Sequence, residues 1–596
     1  MSLKAAYHLP FRYSYSNLLN YHLRSKVSVQ TCIFYRHKHS HVQQKCQSVS
    51  TFAVPLSLNP QDEKIQKIKK CSNELDSSFE NTKEAFKSKT NLELIRGLFV
   101  FHLCSIDFLV RNNQRILQFM RKFLGAAIFK RILKLSFYGH FVAGENTKEL
   151  LPIVRKMRKF GVQSIMDYSV ESDSLQNIEE KAASEIVCEK KILKITEKEF
   201  DKIIKIFLKC VDTVANATKR EGFAAIKLTA LGRPQLFTKY SEMIVQLQTF
   251  FKAITGSTDN DIFLNKISKE EFLKRLEEFQ IKIDNQIFED WFKMLDTDED
   301  GFIDYYDWEA LLNEKKELIQ MFTSFNVRTG KVEPLIQQFT EIEEQEFSNM
   351  TDRLFHLADY AKSAGVGIMI DAEQTYYQPA ISRITIDLMK KYNQDSCQIM
   401  NTYQAYLKKT LSTIEHDLRL SQRENFYFGC KLVRGAYMEE ESKRAADRGY
   451  ENPLNPSYEA TNEMYNKCLE RIIKEHHNEN NKNKISVMVA SHNEESIRKA
   501  IRILKDEVIE PSENVIYFAQ LYGMCDQISF SLGQAGYPAF KYVPYGPVEE
   551  VLPYLSRRAL ENGSMLQNLA KERKLLWKEL KRRLLSGQII HRVPIA

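Results

Sequence analysis

The chain has 596 residues, 43% of them apolar and 11% aromatic, with a formal net charge of +8. That length exceeds one ordinary domain and that apolar share can bury a sizeable core, which excludes a disordered chain or a small disulfide-stapled module. The excess charge sits at one end: residues 1–61 hold seven Lys or Arg and no Asp or Glu, leaving 78 basic against 77 acidic side chains elsewhere. No basic stripe with interleaved aromatics follows, so nucleic acid is not an expected partner.

Segment 1–61 also carries nine serines, with Arg12, Arg24, Lys26, Arg36 and Lys38 spread among Leu18, Leu19, Val27, Val29, Ile33 and Phe34. This is the composition of a mitochondrial transit-like leader, the bland alternative being a disordered basic tail. Residues 62–160 read as an N-terminal helical arm, broken at FYGHFVAGE (137–145). Its most apolar stretch, 94–110, contains Arg96 and Asp107 and falls short of a bilayer span, so a buried helix is expected there, with a membrane-facing helix as the alternative. The ten cysteines form no CxxC pair and receive no chemistry.

From 161 onward, short apolar runs alternate with longer helical patterns. The runs are 162–169, 223–230, 366–373, 397–404, 427–437, 485–493, 515–523 and 539–546. Eight strands separated by helices predict an α/β fold, a (βα)8 TIM-like barrel, with 161–240 as its first part and 346–596 as the remainder plus a C-terminal helix. Lys227, Asp371, Gln404, Lys431, His492 and Gln520 each fall within or at the C-terminal end of a run, where barrel active sites are built. For any one of them a satisfied interior polar group is an equal reading; the repetition is harder to explain that way. No GxGxxG follows a strand, so no Rossmann dinucleotide site is expected.

Residues 241–345 interrupt the barrel and are expected to form an inserted EF-hand-like helical subdomain. The loop DTDEDGFIDYYD (296–307) places Asp296, Asp298 and Asp300 at positions 1, 3 and 5, Gly301 at the turn, the Phe302 carbonyl at 7 and Asp304 at 9. Position 12 is Asp307 where Glu is usual, and its shorter side chain should weaken Ca²⁺ relative to Mg²⁺. Upstream, 260–272 looks like a degenerate partner loop, with Ile262 and Leu264 where ligands belong. The alternative is an acidic turn that binds nothing.

Near the C-terminus Tyr554, Arg557, Arg558 and Glu561 recur at i, i+3, i+4 and i+7, on one helix face. Paired guanidinium groups suit a carboxylate, and a tyrosine one turn earlier can cover the apolar body of the same small molecule. A solvated face with an Arg/Glu salt bridge has the same spacing.

That run, YVPYGPVEEVLPYLSRRALENG (542–563), resembles the last barrel helix of the proline dehydrogenase family. So do, in order, GFAAIKLTAL (222–231), GIMIDAEQTYYQPAI (367–381), YFGCKLVRGAY (427–437), VMVASHNEESI (487–497) and YFAQLYGMCDQIS (517–529). The resemblance implies FAD held on the barrel by Ala372, Gln404, Val433, Arg434, Gly435, Ala436, Ser491, His492, Gln520, Tyr522 and Glu561. It puts Lys431 where bacterial relatives carry an Arg beside the reactive flavin nitrogen, and Asp371 at a position treated as catalytic, where it could equally orient nearby cations. Arg557, Arg558 and Lys227 would clamp the substrate carboxylate, with Leu521, Tyr437, Tyr542 and Tyr554 walling the ring. The implied reaction oxidises L-proline to 1-pyrroline-5-carboxylate, the first step of proline degradation to glutamate. Ubiquinone would take the electrons, through peripheral contact with the matrix side of the inner mitochondrial membrane. Rival readings are a hydroxyproline dehydrogenase, whose group carries a small residue at the position of Tyr542, and a catalytically inactive Ca²⁺-binding scaffold.

Overall fold

Eight parallel strands close into a barrel in the computed structural model, which describes residues 75–168, 189–258, 261–279, 285–312, 323–326, 331–334, 336–477, 484–564, 566–591 and 593. The leader expected over 1–61 lies outside the described residues. The strands are β1 Val162–Tyr168, β2 Phe223–Ile226, β3 Gly367–Ile370, β4 Ile399–Gln404, β5 Phe428–Val433, β6 Ile485–Ala490, β7 Ile516–Leu521 and β8 Ala539–Tyr545. Each pairs with its neighbours in sequence, and β1 closes on β8 with Ile165 opposite Tyr542. All eight expected strands are present, several shorter than their apolar runs. The chain leaves β2 at Ile226 for a tight turn over Leu228–Ala230, and leaves β5 at Val433 ahead of Gly435, whose φ of 138° no ordinary strand residue adopts.

Strand periodicity explains where the polar residues go. Ile165, Phe223, Ala225, Met369, Met400, Met488, Ala519 and Phe540 form one cluster inside the barrel. Two residues further along the same strands stand Lys227, Asp371, Leu521 and Tyr542, and Met488 leads through Ala490 to His492. Lys227 is still extended, with φ −96° and ψ 120°, so the alternation carries through to it. An apolar plug therefore fills the lower barrel, and the next inward layer, at the C-terminal end, is polar.

Four helices from the two ends of the chain form the arm and the surface it packs on: α1 Asn91–Cys104, α2 Asn113–Leu135, α3 Leu552–Ser564 and α4 Leu566–Leu585. A capping box between Thr90 and Glu93 starts α1. Leu94 and Phe101 of α1, Leu576 and Leu580 of α4, and Val551 and Tyr554 share one core that seats the arm on the barrel. Tyr138 donates to the Gly546 carbonyl at 2.8 Å, and Gly523, at φ 83°, passes so close to the His140 carbonyl that a Cβ would lie 2.3 Å from it. The stretch 94–110 is not wholly buried as expected. Val100, Phe101 and Cys104 turn inward while Ile95 and Phe99 face solvent, because α1 is covered on one side only, and Phe108 of the next short helix is exposed as well. No described helix is long and apolar enough to cross a membrane.

Between β2 and β3 the helix Pro234–Thr255 stops at Gly256 in a left-handed C-cap, and helices Lys269–Glu278, Asn285–Leu295 and Tyr305–Glu309 follow. Phe272, Phe288 and Trp308 form their core, and Trp308 donates its indole N–H to the Leu247 carbonyl at 3.1 Å. A two-residue antiparallel ladder pairs Ile303 with Ile267 and Phe302 with Ser268, which joins the acidic loop to the upstream segment 260–272.

Candidate active site

At the centre of the barrel mouth Lys431 Nζ lies 2.5 Å from Asp371 Oδ1, and both side chains are buried. The second oxygen, Asp371 Oδ2, accepts the Tyr542 hydroxyl at 2.7 Å, and Lys431 Nζ also stands 5.0 Å from the centre of the Tyr542 ring. Tyr542 is thus bonded to the carboxylate as well as walling the site. Burial and the neighbouring carboxylates Asp167 and Asp371 push its phenol well above the ordinary range, so it remains a donor. Asp371 is fixed from behind, its backbone N–H donating to the Ile226 carbonyl at 2.9 Å.

Helix α3 closes one side. Arg558 Nη2 reaches Glu561 at 2.5 Å, and the guanidinium carbon stands 4.9 Å from the Tyr554 ring centre. The Arg/Glu pair that a solvated face would show is therefore present, yet Arg558 is only 6% exposed. Its Nε and the Tyr554 hydroxyl are buried without a hydrogen-bond partner among the described residues. Such groups are costly unless something pairs with them. Arg557 is half-buried beside them, as are Lys227, Leu521 and Tyr437.

The residues expected to hold a cofactor occupy the other side. Arg434 is clamped by Asn462 at 2.9 Å, Ser491 at 2.6 Å and Ser496 at 3.0 Å, and its guanidinium lies 4.4 Å from the Tyr465 ring centre. Val433 and Ala436 flank it, and Gly435 runs against Tyr406 so tightly that a Cβ would lie 2.4 Å from the ring. Gln404 donates to the Glu373 carbonyl at 2.9 Å. Gln520 is satisfied at both ends, donating to the Ser491 carbonyl at 3.1 Å and accepting the Ser529 hydroxyl at 2.8 Å. His492 Nε2 accepts the Leu521 N–H at 3.1 Å, leaving Nδ1 to carry the proton. Removal from water, with Lys541, Arg558 and Arg434 nearby, pushes its pKa down to about 3, so the ring is neutral at any working pH. Ala372 follows Asp371 at the end of β3, the Tyr522 N–H donates to the Tyr542 carbonyl at 2.9 Å, and Glu561 is held on Arg558.

Sequence reasoning missed several groups here. Asp167 ends β1 and is buried near Tyr542 and Tyr554; its place at the end of a strand was the available signal. Glu373 is buried, accepts the Thr229 hydroxyl at 2.7 Å and has its carboxyl pushed up by burial. Lys541 lies inside β8 with its ammonium 2.8 Å from Asp526, whose other oxygen takes Lys89 of the arm at 2.6 Å. No local pattern reveals that triad.

The acidic loop is arranged differently. Asp296, Asp298 and Asp300 bring carboxylate oxygens within 4.8 Å of one another, and Gly301 makes the turn at φ 83°. Asp304 and Asp307 do not join them. Each accepts the other's backbone N–H, at 3.0 and 3.1 Å, as the cap of the next helix. Arg423, at the end of the helix after β4, reaches Asp307 at 2.7 Å, Asp304 at 2.8 Å and Asp298 at 3.2 Å, while Lys266 pairs with Asp300.

A (βα)8 barrel whose mouth holds a lysine–carboxylate pair, a buried arginine with an N–H unpartnered among the described residues and a strapped arginine loop has the architecture of a barrel enzyme, with its polar residues gathered at the C-terminal end of the strands. The proline dehydrogenase family model matches residues 151–571. Over 563 residues the chain is 50% identical to "Proline dehydrogenase 1, mitochondrial" of Caenorhabditis elegans, covering 88% of this chain and 91% of the relative. The protein of the same name from Homo sapiens is 41% identical over 550 residues, 86% of this chain and 91% of its own. "Hydroxyproline dehydrogenase" of Rattus norvegicus is 31% identical over 509 residues, 84% and 93% of the two chains. The chain belongs to the proline dehydrogenase family and is an oxidoreductase.

Proposed function

We propose that the chain oxidises L-proline to 1-pyrroline-5-carboxylate with FAD on the barrel and ubiquinone as acceptor, on the matrix side of the inner mitochondrial membrane. The observation that carries this reading is the buried Lys431–Asp371–Tyr542 set, with Tyr542 close to the Tyr554 on which Arg558 stacks. FAD, when bound, takes the two electrons removed from ring carbon 5 and nitrogen of the substrate. The residues fit such a cofactor: Gly435 and Ala436 present exposed backbone, Arg434 is held rigid by three side chains, and the neutral His492 offers an N–H donor.

Arg558 would take the substrate carboxylate through the N–H that has no partner among the described residues, with Arg557 and Lys227 completing the clamp. Tyr554, Tyr542, Tyr437 and Leu521 pack the ring and exclude water. Lys431, paired with Asp371, places a cation where negative charge accumulates during the oxidation. Asp371 orients both Lys431 and Tyr542, which supports a positioning role for it. Proline is favoured over hydroxyproline by the higher identity to the proline enzymes and by Tyr542, whose bond to Asp371 holds the ring in the space a hydroxyl would need.

Ca²⁺ or Mg²⁺ at the acidic loop is a second reading, supported by the gathered Asp296, Asp298 and Asp300 and by the paired-loop ladder. An ion using Asp304 or Asp307 as well would have to displace Arg423.

Anaerobic bleaching of flavin absorbance tests the main reading. L-proline should bleach the wild-type protein and trans-4-hydroxy-L-proline should do so far less well, while Arg558→Met should need at least roughly tenfold more proline. Protein that carries no flavin would make the scaffold reading the leading one.

A further inference from the structure

The apolar surface that folding leaves uncovered is concentrated on the arm. From Phe108 to Gly144 the sequence holds seven Lys or Arg and no Asp or Glu. Within that stretch α2 has 23 residues and buries only Phe129 and Leu133. Gly125, at φ 75°, kinks it into two halves. Before the kink Phe119 and Phe123 are 67% and 79% exposed and stack with ring centres 5.8 Å apart. After it Ile128, Ile132 and Leu135 recur at i, i+4 and i+7 and are all exposed, with Phe108, 68% exposed, just upstream of α2.

The charges are placed to match. On a helix Arg115 and Lys122 flank the Phe119/Phe123 pair, and Arg131 flanks the Ile128, Ile132, Leu135 row. Lys130 and Lys134 pair with Glu145, but Arg115, Arg121, Lys122 and Arg131 have no ion-pair partner among the described residues. Apolar side chains bordered by unneutralised cations are complementary to a surface with anionic headgroups over hydrocarbon, and much less so to a neutral or apolar protein face. The face is also joined to the active-site helix. Ser556 donates to the Asn113 side chain at 2.5 Å, and Gly563 packs on Val110, where a Cβ would meet a methyl group at 2.8 Å.

We propose that Phe108 and α2 form the membrane-docking face, lying in the headgroup region of an anionic phospholipid bilayer with Phe119 and Phe123 inserted and Arg115, Lys122 and Arg131 on the phosphates. The arm thereby holds the barrel mouth next to the lipid phase. The proposal deepens the reading in which a lipid-soluble quinone accepts the electrons, and it rests on that reading for its purpose.

The test is co-sedimentation of the full-length flavoprotein with vesicles of phosphatidylcholine alone or mixed with phosphatidylglycerol, for wild type, F119S/F123S and R115Q/K122Q. Wild type should partition onto the anionic vesicles, and each double variant should lose about tenfold or more of that binding. Proline-dependent reduction of a soluble dye should be unchanged in both variants, while reduction of quinone held in the vesicles should fall. Variants that bind like wild type, or a wild type that ignores anionic vesicles, overturn the assignment. So does a wild-type dimer that F119S/F123S converts to monomer, since the face would then belong to a second copy. Vesicle binding is read without turnover, so failure of the proposed redox activity would show separately in the flavin bleaching.

Discussion

The barrel mouth and the acidic loop of the insert are both carboxylate clusters answered by a cation from a distant strand or helix, and they end in opposite states. At the mouth Asp371 commits its two oxygens to Lys431 and Tyr542, and helix α3 still presents an Arg558 N–H and a Tyr554 hydroxyl with no partner among the described residues. In the loop Arg423 answers Asp298, Asp304 and Asp307, Lys266 answers Asp300, and Asp296 accepts the N–H groups of Asp300 and Gly301 at 3.1 and 2.9 Å. One cluster keeps donors in reserve for a ligand; the other has closed on itself. Residue types and spacing set the potential of a site, and what the rest of the chain brings to it decides whether that potential is used up internally.

Three substitutions would break or sharpen this contrast. Asp371→Ala should have the largest effect, since it strands a buried ammonium and frees Tyr542. The expected loss in kcat/KM for proline is roughly 10²- to 10³-fold, with flavin still bound. Steady-state kinetics with absorbance of the purified protein checks both, and a near wild-type kcat/KM would remove Asp371 from the machinery.

Arg423→Met should cost about 2 kcal/mol of stability, less than a fully buried pair because the Arg423 side chain is a quarter exposed while the Asp307 it covers is not. Thermal unfolding measures the loss. Titration calorimetry of the same variant should find Ca²⁺ bound more tightly than by wild type, because the competing guanidinium is gone. Unchanged stability and unchanged Ca²⁺ affinity together would show that Arg423 does not close the loop.

An effect that vanishes at low pH concerns a buried carboxylate with no ion-pair partner among the described residues. Glu572 accepts the Cys525 N–H at 2.9 Å, and burial, reinforced by Asp526, pushes its carboxyl from 4.5 to about 7. A folded-state pKa above the unfolded one means that the folded protein binds the extra proton between those values. Glu572 therefore lowers stability progressively as pH rises through that window, and fully above it. Glu572→Gln keeps an acceptor without the charge, so at pH 8 it should stabilise the protein by up to roughly 3 kcal/mol, and by little at pH 4.5. Melting curves at the two pH values give the difference; equal shifts at both would contradict it.

The sequence by itself determined the barrel and most of its mouth. Eight β-branched and apolar runs at helix-length spacing leave few architectures, and the period of two along each strand places Lys227, Asp371 and Tyr542 one step beyond the apolar plug. Local geometry of that kind is fixed by residues close in sequence, as is the helix face that brings Tyr554, Arg558 and Glu561 together. Only the tertiary structure decided who pairs with whom. The bond from Tyr542 to Asp371 joins β8 to β3, Arg423 meets the loop across more than a hundred residues, and the triad of Lys89, Asp526 and Lys541 ties the arm to the barrel. Such contacts depend on strand register and helix docking, which are settled by the packing of the whole core and leave no periodic trace in the chain.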